Sequence, residues 1–248
     1  MYTLSRIIKL VFFDLETTSQ YETYEELEKN TPASAAAFKY NYDMKIDRQV
    51  PGWAGLSLEE AYINKAPLLP EYGKIICFSW GKLKMKTKDD YDLETVSIIG
   101  NEEHILKQSK KLLKVMAKKD LTLCGQNIKD FDMPYLAKRM MIHGLVVPNL
   151  LWTADKKPWE IDVMDTKDVW SFGSYRNQSN LVETCAALGI PSPKDDIWGA
   201  DVYRVFYKDQ DIDRIARYCE HDVQAVANIM LRFSGNEIID EEIEIANY

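Results

Sequence analysis

The chain has 248 residues, enough for one large domain with a substantial core, and its 46% hydrophobic and 28% charged residues exclude a disordered or fibrous protein. A formal net charge of −8 argues against a generally basic nucleic-acid-binding surface, although bound cations and a local basic groove would still admit nucleic acid. Four widely spaced cysteines (Cys77, Cys124, Cys185 and Cys219) in apolar company, with no C-x-x-C, predict reduced core thiols rather than disulfides or a zinc site.

Ile7, Ile8 and Leu10 lead into Val11-Phe12-Phe13-Asp14-Leu15-Glu16-Thr17-Thr18, which reads as a buried strand ending in two carboxylates. This apolar run is broken by Lys9 and stopped by Asp14, so it is no signal peptide. With no long apolar run elsewhere, the expectation is a soluble, cytoplasmic protein. Residues 19–69 read as a structured insertion: acidic, tyrosine-rich helical material, a polar and aromatic stretch through Trp53, then a helix opened by a capping box at Ser57 and Glu60. Residues 74–81 and 95–99 are predicted strands, joined by a charged hairpin-like connection over 82–92. Asn101 caps a helix with Ile105, Leu106, Leu112, Leu113 and Met116 on one face and solvated lysines on the other.

A fourth strand is predicted over 121–124, closed by Gly125, and a loop over 126–131 delivers Asp132 at the start of a helix with Pro134 in its first turn. Residues 159–169 supply an extended segment or turn. Asn180 and Glu183 open a helix that stops at Gly189, and the last long helix runs over 211–233, before an acidic tail at 235–248 expected to fray. The order of elements predicts an α/β protein, a central mixed sheet flanked by helices.

Four acids bear on chemistry. Asp14 and Glu16 alternate with Leu15, so on a strand both point the same way, and two like charges there are costly without a cation between them. A divalent, oxygen-loving ion such as Mg²⁺ or Mn²⁺ suits them; a polar strand end meeting water is the bland alternative. Asp132 competes with an N-cap role. Asp222 flanks the apolar stripe Ile212, Ile215, Cys219, Val223, Val226 and Met230, one turn after Tyr218. A carboxylate there needs a partner: metal is the reading preferred over a salt bridge to Lys or Arg.

Phe13-Asp14-Leu15-Glu16-Thr17, Asn127-x-x-x-Phe131-Asp132 and Tyr218-x-x-x-Asp222 resemble, in order, the three motifs of the DEDD 3′→5′ exonucleases. The likeness is greatest to proteins related to the proofreading exonuclease domain of family B DNA polymerases, and residues 125–136 look much like that group's second motif. It spans roughly residues 7–233 and implies a ribonuclease H-like exonuclease fold with an insertion after the first strand. Arg217 stands where histidine-branch relatives carry their base, and His221 is turned about 100° from Asp222, which points to the tyrosine branch and Tyr218.

The resemblance implies a metal-dependent 3′→5′ exonuclease acting on single-stranded DNA with two divalent cations, Mg²⁺ or Mn²⁺. Asp14 would bridge both ions, Glu16 and Asp222 complete the set around the first ion, Asp132 support the second ion partly through water, and Tyr218 orient the nucleophilic water. Asn127 and the Thr17 backbone would hold the 3′-terminal nucleotide and Phe131 shape its pocket, although core packing competes for Phe131. Trp170, Phe172, Tyr175 and Trp198 are candidates for base stacking, and Arg176, Lys194 and Arg204 for phosphate contacts. An exoribonuclease on the same scaffold and a non-catalytic nucleic-acid-binding subunit of a repair or replication complex are the alternatives. The expectation is a single exonuclease domain over 1–248 without a polymerase domain, so that any proofreading role would be in trans.

Overall fold

The computed structural model describes residues 2–87, 90–174, 179–194 and 196–240, and the backbone of 246–247. Its centre is a six-stranded sheet in the order β5-β4-β1-β2-β3-β6. The strands are β1 (Leu10–Ser19), β2 (Gly73–Met85), β3 (Tyr91–Ile99), β4 (Thr122–Gly125), β5 (Val163–Asp165) and β6 (Ala246–Asn247). β1, β2 and β3 form an antiparallel meander, while β4 and β5 add parallel to β1 and β6 parallel to β3. A short turn of helix, α1 (Leu4–Ile7), precedes the sheet, and α2 (Tyr24–Asn30), α3 (Pro32–Asp47) and α4 (Leu58–Lys65) separate β1 from β2. Then come α5 (Glu102–Lys118), α6 (Asp132–Ile142), α7 (Thr166–Ser171), α8 (Leu181–Leu188), α9 (Val202–Arg204, continued by one π-helical turn over Val205–Asp209) and α10 (Ile212–Phe233).

The period-two alternation of β1 sorts its side chains between two helical layers. Val11, Phe13 and Leu15 pack with Ile105, Leu113, Leu136 and Met140 of α5 and α6. Leu10 and Phe12 pack with Val223, Val226 and Met230 of α10 on the other face. Asp14 and Glu16 are the next two positions on that second face, so the carboxylates emerge under α10. Two glycines permit the close packing. A Cβ on Gly81 would lie 3.0 Å from Val223 of α10, and one on Gly125 would lie 2.9 Å from the Phe13 carbonyl oxygen and collide with Ile128.

Several boundaries differ from the sequence expectation. β2 and β3 run further, pairing from Cys77–Ile99 out to Met85–Tyr91, because cross-strand partners rather than hydrophobicity sustain the charged ends. The connection is thus far shorter than 82–92. The expected extended segment at 159–169 resolves into β5 and the start of α7. The tail is anchored where described: Asn228 exchanges two hydrogen bonds with the Ile239 backbone, at 2.8 and 2.9 Å, so residues 235–240 do not fray. The capping boxes at Ser57 and Asn180, the Asn101 cap and the apolar stripe of α10 form as expected.

Candidate active site

Asp14 and Glu16 sit midway along β1, where it outruns β4: the two strands pair only from Leu10–Thr122 to Phe12–Cys124. Beyond that the Leu15 N–H lacks a strand partner on this side, and the Asp132 carboxylate accepts it at 3.1 Å. Asp132 is the first residue of α6, with Phe131 in the cap position, so it is not the N-cap that competed in the sequence reading. Its carboxylate instead straddles the gap between β1 and α6. Nearby, Asp165 at the end of β5 is a buried carboxylate that accepts backbone N–H groups from Asn127 at 2.8 Å, Lys129 at 3.1 Å and Lys167 at 3.0 Å. That clamp ties two residues of the 126–131 loop to β5, and Asn127 there is in a left-handed conformation (φ 59°).

α10 supplies the remaining groups. Tyr218 and Asp222, one turn apart, are both buried on the side that faces β1. The four acids are close enough to act on one another's protons. Burial raises the Asp14 carboxyl well above its usual range, and Asp222 and Asp132 raise it further. Glu16 is raised by burial and then by Asp14 and Asp222. Asp132 is pushed up to about 7, chiefly by burial, with its hydrogen bond from Leu15 opposing. Asp222 is raised by burial against the opposing charge of Lys194.

Lys194 is a finding that bears on the sequence reading. Its ammonium group donates to both Asp222 carboxylate oxygens, at 2.8 and 2.5 Å, and to the Tyr218 hydroxyl, and it lies 3.8 Å from the centre of that ring. The salt bridge that the sequence reading set below metal for Asp222 is therefore present. One ammonium cannot balance four carboxylates, so the cluster keeps a deficit of positive charge. Cys219 was read only as a stripe residue, yet its thiol donates to the Asp14 carboxylate at 3.2 Å. Asp14, Glu16 and Cys219 each present a ligand atom within 4.8 Å of the others. Two of these three are hard oxygen donors, of the kind a divalent oxygen-loving cation takes, and the third is a soft thiol; Asp132 and Asp222 lie outside that 4.8 Å group.

The substrate-binding candidates are placed less uniformly. The Thr17 hydroxyl donates to the Pro67 carbonyl at 2.8 Å, tying the end of β1 to the turn after α4. The Asn127 side-chain oxygen accepts from Lys167 at 2.7 Å, bringing a second cation to the rim. Phe131 is half-buried with its ring 5.3 Å from Tyr135, as its packing alternative anticipates. Trp170 stacks on Phe233 at 6.2 Å, which fits a packing role, whereas Phe172 and Trp198 are exposed. Arg204 is engaged by Asp209 and Asp201 rather than open for phosphate. Tyr175 and Arg176 lie outside the described residues. Arg217 is exposed, away from the carboxylates. The Asp165 clamp was missed, although an acid closing a short strand before Thr166 and Lys167 is an N-cap signal.

A mixed sheet with antiparallel β1–β3 and helices on both faces, carrying acids on its central strand, defines a ribonuclease H-like α/β protein of the exonuclease type. Residues 70–247 match the model of a family described as predicted 3′-5′ exonucleases related to the exonuclease domain of PolB, and the chain belongs to that family. An uncharacterized protein of Methanocaldococcus jannaschii is 30% identical over 102 residues, which is 40% of this chain and 54% of that protein. The match thus spans about half the length of that relative. Among solved structures, the family B DNA polymerase of the archaeon Pyrobaculum calidifontis superposes with a TM-score of 0.52 at 14% identity. That superposition covers 90% of this chain but 24% of the polymerase, and it speaks for the fold. No helix among the described residues is long and apolar enough to cross a membrane.

Proposed function

We propose that this chain is a metal-dependent 3′→5′ exonuclease that removes nucleotides from single-stranded DNA. The observation that supports the reading most is that Asp14 and Glu16 lie side by side on β1, with Asp222 and Asp132, from distant parts of the chain, near enough to raise the Asp14 carboxyl by charge repulsion. Evolution of a fold tolerates such repulsion where cations bind. Bound there, divalent ions supply a water of lowered pKa and countercharge for the leaving 3′ oxygen.

Asp14 and Glu16 would hold the first ion with Asp222, and Asp132 the second. The Cys219 thiol fixes the orientation of the Asp14 carboxylate through its hydrogen bond. Burial, followed by the charges of Glu16 and Asp222, pushes the Tyr218 phenol far above its usual range. Tyr218 therefore stays protonated and serves to orient the attacking water rather than to take its proton. Lys194, between α8 and α9, would offer its ammonium group to the scissile phosphate, with Asp222 among the residues that would hold the metal. Thr17 and Asn127 would position the terminal nucleotide, with Lys167 beside Asn127 adding positive charge toward the strand.

The test is release of mononucleotides from 3′- and 5′-labelled single-stranded DNA, duplex DNA and RNA, with Mg²⁺, Mn²⁺ or chelator. Mononucleotides from the 3′ end, abolished by chelator, are expected. Preferential digestion of RNA would move the chain to the exoribonuclease alternative, and no product from any strand would end the reading. Tyr218→Phe should lower turnover roughly 10-fold or more, within the range of a positioned catalytic group, while leaving oligonucleotide affinity in chelator unchanged. Turnover at the wild-type rate would remove the phenol from the mechanism.

A further inference from the structure

The segment between β1 and β2 lies largely outside the 70–247 span shared with the family, yet it packs around an aromatic core of its own. Phe38 of α3 is fully buried and meets Tyr62 edge-on at 5.4 Å, Tyr72 edge-on at 5.1 Å and Trp53 at 6.3 Å. Over this floor, α3 and Tyr72 enclose a cleft of about 490 Å³. Its wall carries Tyr40 (69% exposed), Met44, Lys45, Arg48 and the Tyr72 ring. Neither Lys45 nor Arg48 is in an ion pair among the described residues, and the nearby Asp43 is already neutralised by Lys39 at 2.7 Å. In a chain of net charge −8, the lining of this cleft carries two cations and two tyrosines and no carboxylate, Asp47 lying between the cations in sequence but outside that lining. Cations near a helix C-terminus also complement its dipole, but that leaves the exposed Tyr40 and the apolar cleft without a role.

The Tyr72 carbonyl accepts from the Gln20 N–H at 3.0 Å, and Gln20 follows Asp14 by six residues, or about 20 Å of strand. Roughly six stacked nucleotides at ~3.4 Å each would span that distance. Flat rings offer stacking faces to any base, and lysine and arginine offer charge to the backbone. We propose that this cleft is a second binding site, for a single-stranded stretch of the nucleic acid whose 3′ end enters the carboxylate cluster. The proposal rests on the nuclease reading for the position of the 3′ end.

The test uses the full chain in chelator, so that hydrolysis plays no part, with fluorescence anisotropy of labelled oligothymidylates. A strand of about twenty nucleotides reaches both sites, and a tetranucleotide reaches one. Tyr40→Ala should weaken binding of the long strand roughly 5- to 100-fold, the loss of one stacked base, and leave the tetranucleotide unaffected. The double variant Lys45→Gln/Arg48→Gln should lower the slope of log K against log salt by about 1.4, two phosphates at ~0.7 each. Wild-type affinity for the long strand in both variants would overturn the proposal. So would a polyglutamate peptide that binds as tightly as the long strand and responds to the same substitutions, since the site would then be one for acidic protein. Failure of the nuclease reading is seen separately: with Mg²⁺ or Mn²⁺, no nucleotide is released from any strand. Loss of long-strand binding in the variants would then still stand as a binding site.

Discussion

Asp14→Asn is expected to abolish metal-dependent nucleotide release, by at least roughly 10³-fold, beyond the ~10²–10³ of losing a single hydrogen-bond donor at a reacting centre. The same variant should be more stable than the wild type in chelator at neutral pH. The sign follows from the protons. The Asp14 carboxyl is raised well above its usual range in the fold, so the folded state binds that proton more tightly than the unfolded chain does. Metal-free stability from this group is then fully present in acid and is lost as pH rises from about 4, where the unfolded carboxyl ionises, through the raised folded value. Asp132, at about 7, and Glu16, also raised, contribute in the same direction.

Asparagine carries no such charge, so the difference in melting temperature between variant and wild type should widen with pH. Added Mn²⁺ should reverse the order. At a hundredfold excess over Kd a ligand stabilises by about 2.7 kcal/mol, or roughly 5–10 °C for a domain of this size, and that shift should be absent from Asp14→Asn. Thermal melts across pH, with and without Mn²⁺, check each part. A wild-type Mn²⁺ shift in the variant would show that Asp14 is not a ligand.

Lys194→Met should separate the structural from the chemical role of that ammonium. Lys194 and Asp222 are nearly buried, with side chains 11% and 10% exposed. Breaking such a pair from one side typically costs about 3–5 kcal/mol, because the remaining charge is left unpaired. The metal-free variant should therefore unfold at lower urea concentration at pH 8 and recover much of the loss in acid, where Asp222 can protonate. With its internal competitor gone, Asp222 should help bind Mn²⁺ more tightly than in the wild type, as titration calorimetry would read. Turnover at saturating Mg²⁺ should nevertheless fall roughly 10²–10³-fold, the range for removing one preorganised charge from a reacting centre. Full turnover under those conditions would confine Lys194 to a structural role.

The alternation of Asp14 and Glu16 about Leu15, the Tyr218–Asp222 spacing and the three ordered motifs lie in the local chain, because strand and helix periods decide which residues share a face. The caps at Ser57, Asn101 and Asn180 are legible for the same reason: each donor and its acceptor are three residues apart. Residues 82–85 and 91–94 show the limit at short range. Charge there suggested a long connection, yet the antiparallel partner extends both strands, and a partner strand is not a local property.

Contacts between distant segments were decided only in three dimensions. No spacing connects Lys194 with Asp222, Cys219 with Asp14, or Asp165 with the 126–131 loop, since each joins elements separated by whole helices or strands. What the sequence determined by itself was the set of acids and the faces they occupy, through short-range periodicity. The tertiary structure decided which charges answer one another in the buried cluster. Folding brings groups far apart along the chain into a region of low polarity, where a countercharge a few ångströms away governs the protonation state.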